Sequence, residues 1–166
     1  MTAQVPEELF FKSKKYAMCT NPLEDYCALG GELPKFAPSC TALWRGYVGT
    51  WRIACNRLYL AKIDGKLMSG QDAALETVFP GYQKRVFAHW YSGVIRLPQG
   101  KMLQYVHLGY GSTYERDLLL EFEKGVLISR RVKVNGVAQN EDAKEGYGVG
   151  AMTVFSQEDR EKGDQS

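Results

Sequence analysis

The residues that could do chemistry in this chain are two histidines and a few serines and carboxylates. An imidazole beside a carboxylate can act as a general base. The candidate bases are His89 and His107, the candidate orienting groups are Asp64, Asp72, Glu115 and Asp117, and the candidate nucleophiles are Ser92 and Ser112. Neither serine lies in a Gly-x-Ser-x-Gly elbow, and His107 lies in an apolar run where a structural histidine is common. The sequence therefore predicts no catalytic residue.

Aromatic residues alternate with arginine and glycine in three clusters, and this is the most distinctive pattern in the sequence. Tyr, Trp and Arg side chains bury large areas and keep a polar tip, so they often anchor interfaces and ligand pockets. The predicted binding residues are Trp44, Arg45, Tyr47, Trp51, Arg52, Trp90, Tyr91, Arg96, His107, Tyr110, Tyr114 and Arg116. The alternative is that these rings form the core and rim of a β-sheet, since aromatic residues favour strands.

Signatures of metal and phosphate binding are missing from the sequence. The four cysteines, Cys19, Cys27, Cys40 and Cys55, form no Cys-x-x-Cys pair of the kind that structural zinc sites use. We therefore expect free thiols that are buried or half-buried. The segment 109–111 is a lone Gly-x-Gly without the third glycine of a dinucleotide fingerprint. The sequence predicts neither a metal nor a cofactor.

Length and composition bound the class of protein. The chain has 166 residues, of which 45% are hydrophobic and 24% charged, as in ordinary globular domains. No stretch approaches the ~20 apolar residues of a membrane span, and the N-terminus lacks the pattern of a signal peptide. We expect a cytoplasmic protein with one β-rich domain over residues 1–155 and a disordered polar tail over residues 156–166.

Charge is distributed unevenly along the chain. The net charge is +2, but the basic excess lies in residues 41–134, whereas residues 135–166 are acidic. A basic middle can attract nucleic acid, a nucleotide or an acidic protein face. The alternative is an ordinary solvated surface with a solubilising tail.

Strand patterns dominate the chain, and three hairpins are indicated. The first joins residues 9–12 to 16–19. The second joins residues 47–54 to 57–63 across Cys55-Asn56, and the third joins residues 117–123 to 126–134 across Lys124-Gly125. Further strands are predicted over residues 85–97, bent at Ser92-Gly93, over residues 102–108 and over residues 149–155.

The other elements are a turn and two helices. Pro98-Gln99-Gly100 reads as a turn, residues 21–26 as one helical turn with Pro22 at its first position, and residues 71–79 as a helix. The predicted fold class is mainly β, with antiparallel hairpins forming a sandwich or a partly open barrel and one or two short helices.

Three segments carry a resemblance to a known group of proteins. Residues 43–51, 86–100 and 105–115 together resemble a family of small bacterial proteins that are encoded beside polymorphic toxins of the Rhs type and presumed to be immunity proteins. The resemblance covers residues 7–134. It implies a protein that neutralises a cognate toxin domain, an ADP-ribosyltransferase or another toxin, by occluding its active site. It implies no catalytic residue.

Two other functions stay open at the level of the sequence. One is a small-ligand-binding protein or hydrolase-type enzyme with a pocket lined by Trp90, Tyr91, Arg96, His107 and Tyr110. The other is a module that binds single-stranded nucleic acid through the basic face, with aromatic rings stacking on bases. Nucleic acid is the less favoured partner, since no zinc finger, helix-turn-helix or RNA-recognition aromatic pair is present.

Overall fold

The fold is mainly β with two short helices, as the sequence predicts. The computed structural model describes residues 3–106, 108–139, 141, 146–149 and 152–155. The strands are β1 (Glu7–Phe11), β2 (Lys14–Met18), β3 (Tyr47–Ala54), β4 (Arg57–Gly65), β5 (Val86–Phe87), β6 (Gly93–Gln104), β7 (Thr113–Glu123), β8 (Val126–Val134), β9 (Tyr147–Val149) and β10 (Met152–Phe155). The helices are α1 (Pro22–Ala28) and α2 (Leu75–Val78). Within this part of the chain, no helix combines the length and apolar character needed to cross a membrane.

Eight strands form one open sheet, and β9 and β10 form a separate hairpin. The path is β2-β1-β3-β4-β8-β7-β6, and β5 pairs with β4 off this path. The two end strands approach each other just beyond β2, where the Cys19 N–H donates to the carbonyl of Arg96 in β6 at 2.9 Å. Most pairs are antiparallel, as predicted, but β1 pairs with β3 in parallel.

Two of the predicted hairpins are confirmed with their two-residue turns. Cys55 and Asn56 have φ of 50° and 58°, and Lys124 and Gly125 have φ of 48° and 80°. Positive φ at both central residues gives a turn whose twist matches that of the flanking strands. The opening hairpin is also confirmed, but its turn is a two-residue turn at Lys12 and Ser13, whereas the predicted turn lay at residues 13–15, of which Lys14 and Lys15 belong to β2.

Two local predictions are wrong. The predicted helix 71–79 is reduced to α2, because Gln71 and Ala73 make backbone hydrogen bonds with Leu67 and Gly65 instead. The predicted turn at Pro98-Gln99-Gly100 lies inside β6, where the pairing with β7 only shifts register. Proline is tolerated there because β6 is an end strand of the sheet.

Two further predictions concern the C-terminal part of the chain. The strand over residues 149–155 is in fact the β9–β10 hairpin. The tail over residues 156–166 lies outside the described residues.

The core lies on the inner face of the sheet and is closed by the two helices. Every second residue of the central strands contributes to it, as expected for a sheet with one buried face. Its fully buried side chains include Leu9, Trp51, Leu58, Leu60, Ile95, Leu97, Leu120 and Phe122. Helix α1 adds Leu23, and α2 adds Leu75 and Val78. On the opposite, outer face of β4, side chains such as those of Lys62 and Asp64 are exposed.

Candidate functional site

Most of the predicted aromatic anchors belong to the core. Tyr47, Trp51, Trp90, Tyr91 and Tyr114 are all at most 9% exposed. The Trp90 indole is also fixed by a buried hydrogen bond, since its Nε1–H donates to the Pro22 carbonyl at 2.9 Å. These five rings present no surface to an approaching macromolecule, so the alternative interpretation, packing in a sheet, describes them.

Four of the predicted residues surround a carboxylate that the sequence analysis missed. Glu7 of β1 is fully buried, and its Oε2 accepts the Gly49 N–H and lies 3.5 Å from Arg45 Nη2. The Arg45 guanidinium lies 5.5 Å from the centre of the Tyr47 ring. Four buried atoms of this centre have no hydrogen-bond partner among the described residues: Glu7 Oε1, Arg45 Nε and Nη2, and Trp51 Nε1.

The electrostatics of this buried centre follow from its lack of solvent. Burial raises the pKa of Glu7 to about 7, although the Arg45 charge and the Gly49 hydrogen bond oppose the shift. Burial lowers the pKa of Arg45, but the Glu7 carboxylate together with the Tyr110 and Tyr47 side chains outweighs this effect, and the net pKa is raised. Burial also raises the pKa of Tyr110, whose hydroxyl donates to Asn21 Oδ1 at 2.8 Å. Arg45, Tyr47, Trp51 and Tyr110 thus form a sealed polar centre in the core.

Arg96 is a structural clamp. Its Nε lies 2.9 Å from Asp117 Oδ1, and its two Nη groups donate to the carbonyls of Tyr110 and Ser112 at 2.6 and 2.7 Å. The other oxygen of Asp117 accepts from Asn135 at 2.9 Å. These bonds fix residues 110–112 against β6 and β7.

The residues of the predicted ligand pocket do not converge. Trp90 and Tyr91 lie in the main core, whereas Arg96 and Tyr110 meet at the clamp. His107 lies outside the described residues. His89 is exposed, and its ring packs edge-on against Trp90 with centroids 5.6 Å apart.

The candidate orienting carboxylates and nucleophiles are engaged elsewhere. Asp64 pairs with Lys62, Asp72 with Lys66, Glu115 with the backbone of Lys101 and Ala138, and Asp117 with Arg96. Ser92 accepts the Lys124 N–H, and Ser112 accepts the Val106 N–H.

The four cysteines are free thiols, but three of them are exposed rather than buried. Only Cys19 is buried, and burial raises its pKa to about 12. Cys27, Cys40 and Cys55 lie in a helix, a loop and a turn that solvent reaches. Within the described ranges, no group of three or more His, Cys, Asp or Glu side chains could hold a metal ion.

Three of the predicted binding residues are exposed, and one of them belongs to a larger array. Trp44 is 53% exposed on the loop before β3, and Arg116 is exposed on β7. Arg52 is exposed on the outer face of β3, opposite Phe10 of β1 on one side and Tyr59 of β4 on the other. The pairing therefore places Arg52 between two aromatic rings.

The same line continues across five strands. Lys15 of β2 pairs with Phe10, and Phe87 of β5 pairs with Tyr59. Neighbouring strands lie about 5 Å apart, so the line spans the outer face of half the sheet. Arg57 and Arg85 stack on it from the side. We call this array the outer row; its members are Lys15, Phe10, Arg52, Tyr59, Phe87, Arg57 and Arg85.

Each ring of the outer row has a guanidinium over it. The Arg52 guanidinium lies 4.9 Å from the Phe10 centroid, that of Arg85 lies 4.1 Å from Tyr59, and that of Arg57 lies 5.4 Å from Phe87. Such stacking limits side-chain motion and leaves the N–H groups free to donate outward. The rings therefore hold the cations in place.

The guanidiniums of the outer row lack acidic partners. Among the described residues, no carboxylate forms an ion pair with Arg52, Arg57 or Arg85, whereas Lys15 pairs with Glu8 at 3.3 Å. All three arginines are exposed. Three fixed and unneutralised guanidiniums on one flat face can bind carboxylates or phosphates in forked geometry.

The sequence analysis identified only Arg52 in this array. One further member, Tyr59, could have been predicted from the sequence, because the Cys55-Asn56 turn fixes the register that places Arg52 opposite Tyr59. The positions of Phe10 and Phe87 depend on non-local pairing of β1 with β3 and of β5 with β4. No local pattern indicates that pairing.

Comparison with protein-family models, with curated proteins and with solved structures found no match. The function below is therefore argued from the geometry of this chain and from the resemblance of its motifs.

Proposed function

We propose that this chain is a binding protein that holds an acidic partner on the outer row, and that the partner is a toxin domain, which it neutralises by covering the active site. The observation that carries the proposal is the set of three exposed guanidiniums, those of Arg52, Arg57 and Arg85, each stacked on a ring and without a carboxylate partner among the described residues. The resemblance of the sequence motifs supports the choice of a toxin.

The chemistry of the outer row suits capture of a protein. Arginine and aromatic side chains dominate the hot spots of interfaces, and unneutralised charge accelerates association with a partner of opposite sign. Because the guanidiniums are already fixed by their rings, little side-chain entropy is lost when a carboxylate binds. A partner face with three or more carboxylates would match the array.

The test is neutralisation of the toxin domain that the resemblance implies is encoded beside this chain. Wild-type protein is expected to rescue cells that express the toxin and to co-purify with it. The double variant Arg52→Glu with Arg57→Glu should bind the toxin about a hundredfold more weakly, since it places like charges at the centre of the interface. Calorimetry of the purified pair measures the change.

The matched control changes charge away from the outer row. Lys35 is exposed on the loop between α1 and β3. The Lys35→Glu protein should therefore bind the toxin with wild-type affinity, in contrast to the double variant. Unchanged toxin binding by a folded Arg52→Glu, Arg57→Glu protein would overturn the assignment of the outer row. Absence of any interaction with the neighbouring toxin would overturn the immunity function.

A second candidate, binding of single-stranded nucleic acid, is favoured by one observation. Rings and cations alternate on a sheet face in the manner of sheets that stack bases. However, the faces of Phe10, Tyr59 and Phe87 are covered by guanidiniums, which leaves less ring surface for bases. Fluorescence anisotropy with an oligothymidine at several salt concentrations distinguishes nucleic-acid binding from toxin binding. Tight binding of the oligothymidine that weakens steeply with salt would identify nucleic acid, and not a toxin, as the partner of the outer row.

A further inference from the structure

Strand β8 has one paired edge and one edge that is almost entirely open. It pairs with β7 along its whole length. On its other side, β4 contacts it only where Arg57 pairs with Val126 and where the Leu127 N–H donates to the Asn56 carbonyl at 2.7 Å. Strand β4 then pairs with β5 at Tyr59 and Leu60. Among the described residues, no other strand pairs with β8.

The open edge carries apolar side chains in contact with solvent. Ile128, Val132 and Val134 are 53%, 55% and 70% exposed. Val132 pairs with the buried Leu118, so it points to the inner side of the sheet, yet more than half of its surface is exposed. A long edge with free backbone groups and exposed apolar side chains is a template for pairing with another strand.

The charges along the same edge are basic. Arg130, Arg131 and Lys133 are exposed, and none of them forms an ion pair among the described residues. Arg131 and Lys133 alternate with Val132, so they point to the outer side of the sheet. Such charges discourage pairing of two copies of β8, which would bring like charges together. The same charges attract a strand of opposite sign.

We infer that the open edge of β8 accepts an extended segment of the partner in which acidic side chains alternate with apolar ones. The segment adds to the sheet beside residues 128–134, its backbone hydrogen-bonds to the free groups of β8, and its acidic side chains lie against Arg131 and Lys133. Its apolar side chains cover Val132 and Val134. Strand addition of this kind takes affinity from the main chain and specificity from alternate side chains.

This inference rests on the proposed function for the identity of the partner, because the open edge continues the outer row. Arg57, a member of that row, is the residue of β4 that pairs with Val126 at the start of β8. One acidic partner could therefore contact the outer row with its surface and the edge with an extended segment.

The experiment uses the full chain and a synthetic probe. The probe is a capped peptide of about eight residues in which glutamate alternates with valine, a length that matches a typical strand. Amide hydrogen exchange, followed by NMR, is expected to show that the peptide protects those amides of residues 128–134 that point to the open edge and not to β7. The double variant Arg131→Glu with Lys133→Glu should bind the peptide at least tenfold more weakly, while Lys35→Glu, on the exposed loop between α1 and β3, keeps the wild-type affinity.

The outcomes separate the edge from the outer row. Peptide binding that is lost only in the Arg52→Glu, Arg57→Glu protein would overturn the inference and leave the proposed function standing. Equal binding of a peptide with lysine in place of glutamate, or no protection of residues 128–134, would also overturn it. A dimer that protects these amides without peptide would make a second copy the occupant. If the peptide binds β8 but the toxin does not bind at all, the proposed function fails and the edge site stands.

Discussion

At the scale of single residues, Glu7 shows what a buried carboxyl does to this fold. Its side chain is fully enclosed, one oxygen lacks a hydrogen-bond partner among the described residues, and its pKa is raised to about 7 by burial. The groups that face it include Arg45, Gly49, Tyr47 and Tyr110. Since the folded state binds this proton more tightly than the unfolded chain, protonation of Glu7 stabilises the fold.

The first prediction concerns pH. The stabilisation from Glu7 is fully present below pH 4.5 and is lost as the pH rises through 7. A shift from 4.5 to about 7 corresponds to about 3 kcal/mol. Glu7→Gln should therefore remove a fall of about that size in the free energy of unfolding between pH 4.5 and 8. Urea denaturation at several pH values measures it.

The control for this prediction is the next residue along β1. Glu8 points to the opposite, outer face and pairs with Lys15, so Glu8→Gln should keep the wild-type dependence on pH. If the Glu7→Gln protein loses stability between pH 4.5 and 8 as steeply as the wild type, another group is responsible and Glu7 is not.

Three of the four arginines singled out by the sequence differ sharply in their surroundings, and sequence could not separate them. Arg45 is buried against Glu7, Arg96 is engaged by Asp117 and two carbonyls, and Arg52 is exposed on the outer row. All three stand beside aromatic or β-branched residues in the sequence. What separates them is which face of which strand each occupies and which distant acid lies opposite, and both depend on tertiary pairing.

At the scale of elements, the tight turns do much to set the register of the sheet. Gly125 closes the β7–β8 hairpin with φ of 80°, and a Cβ on it would lie 2.5 Å from the Ala88 carbonyl oxygen. Real Cβ atoms essentially never come that close to backbone, so a side chain here would displace the segment between β5 and β6. This glycine is therefore required both for its conformation and for the space it leaves.

The second prediction compares two glycines of similar backbone conformation. Gly125→Ala should lower the free energy of unfolding by about 2–4 kcal/mol, because strain at positive φ adds to the collision with Ala88. Gly70 has φ of 88°, but no heavy atom would lie within 4 Å of its Cβ. Gly70→Ala should cost about 1 kcal/mol from backbone strain alone. Equal losses in thermal denaturation would show that space at Gly125 is unimportant.

Local hairpins were the part of the fold that the sequence could predict. The turns at Cys55-Asn56 and Lys124-Gly125 are marked by two-residue spacing between alternating strands, so the β3–β4 and β7–β8 pairs follow directly. The parallel pair β1–β3 and the short strand β5 have no such signal, because their partners lie far along the chain. For that reason the sequence indicated the fold class but missed most of the outer row.

At the scale of the whole molecule, Arg96 holds the two ends of the sheet path together. Its carbonyl accepts the N–H of Cys19, its N–H donates to the Thr20 hydroxyl at 3.2 Å, and its side chain binds Asp117. Strands β2 and β6 are the first and last strands in the order of the sheet. Contacts of one arginine thus reach the first strand pair, the last strand pair and the loop before β7.

The third prediction tests this clamp. Arg96→Met should destabilise the fold by about 3–5 kcal/mol, since it leaves Asp117 without its cation and two carbonyls without donors. Arg116 is exposed on β7, and Arg116→Met should change stability by no more than about 0.5 kcal/mol. Calorimetric melting of both variants checks the contrast. A small loss for Arg96→Met would mean that residues 110–112 are held by other contacts.

The sparse pairing of β4 with β8 gives the molecule a mechanical weak line. Between the strands themselves, the leaf formed by β2, β1, β3 and β4 joins the leaf formed by β8, β7 and β6 around the Arg57–Val126 pair. Residues next to the strands add a second group of bonds, where Cys19 and Thr20 reach Arg96 and where Trp90 and Tyr110 reach the segment around α1. A load that pulls the two leaves apart therefore breaks the hydrogen bonds between them one after another. Shear within either leaf meets whole rows of bonds at once.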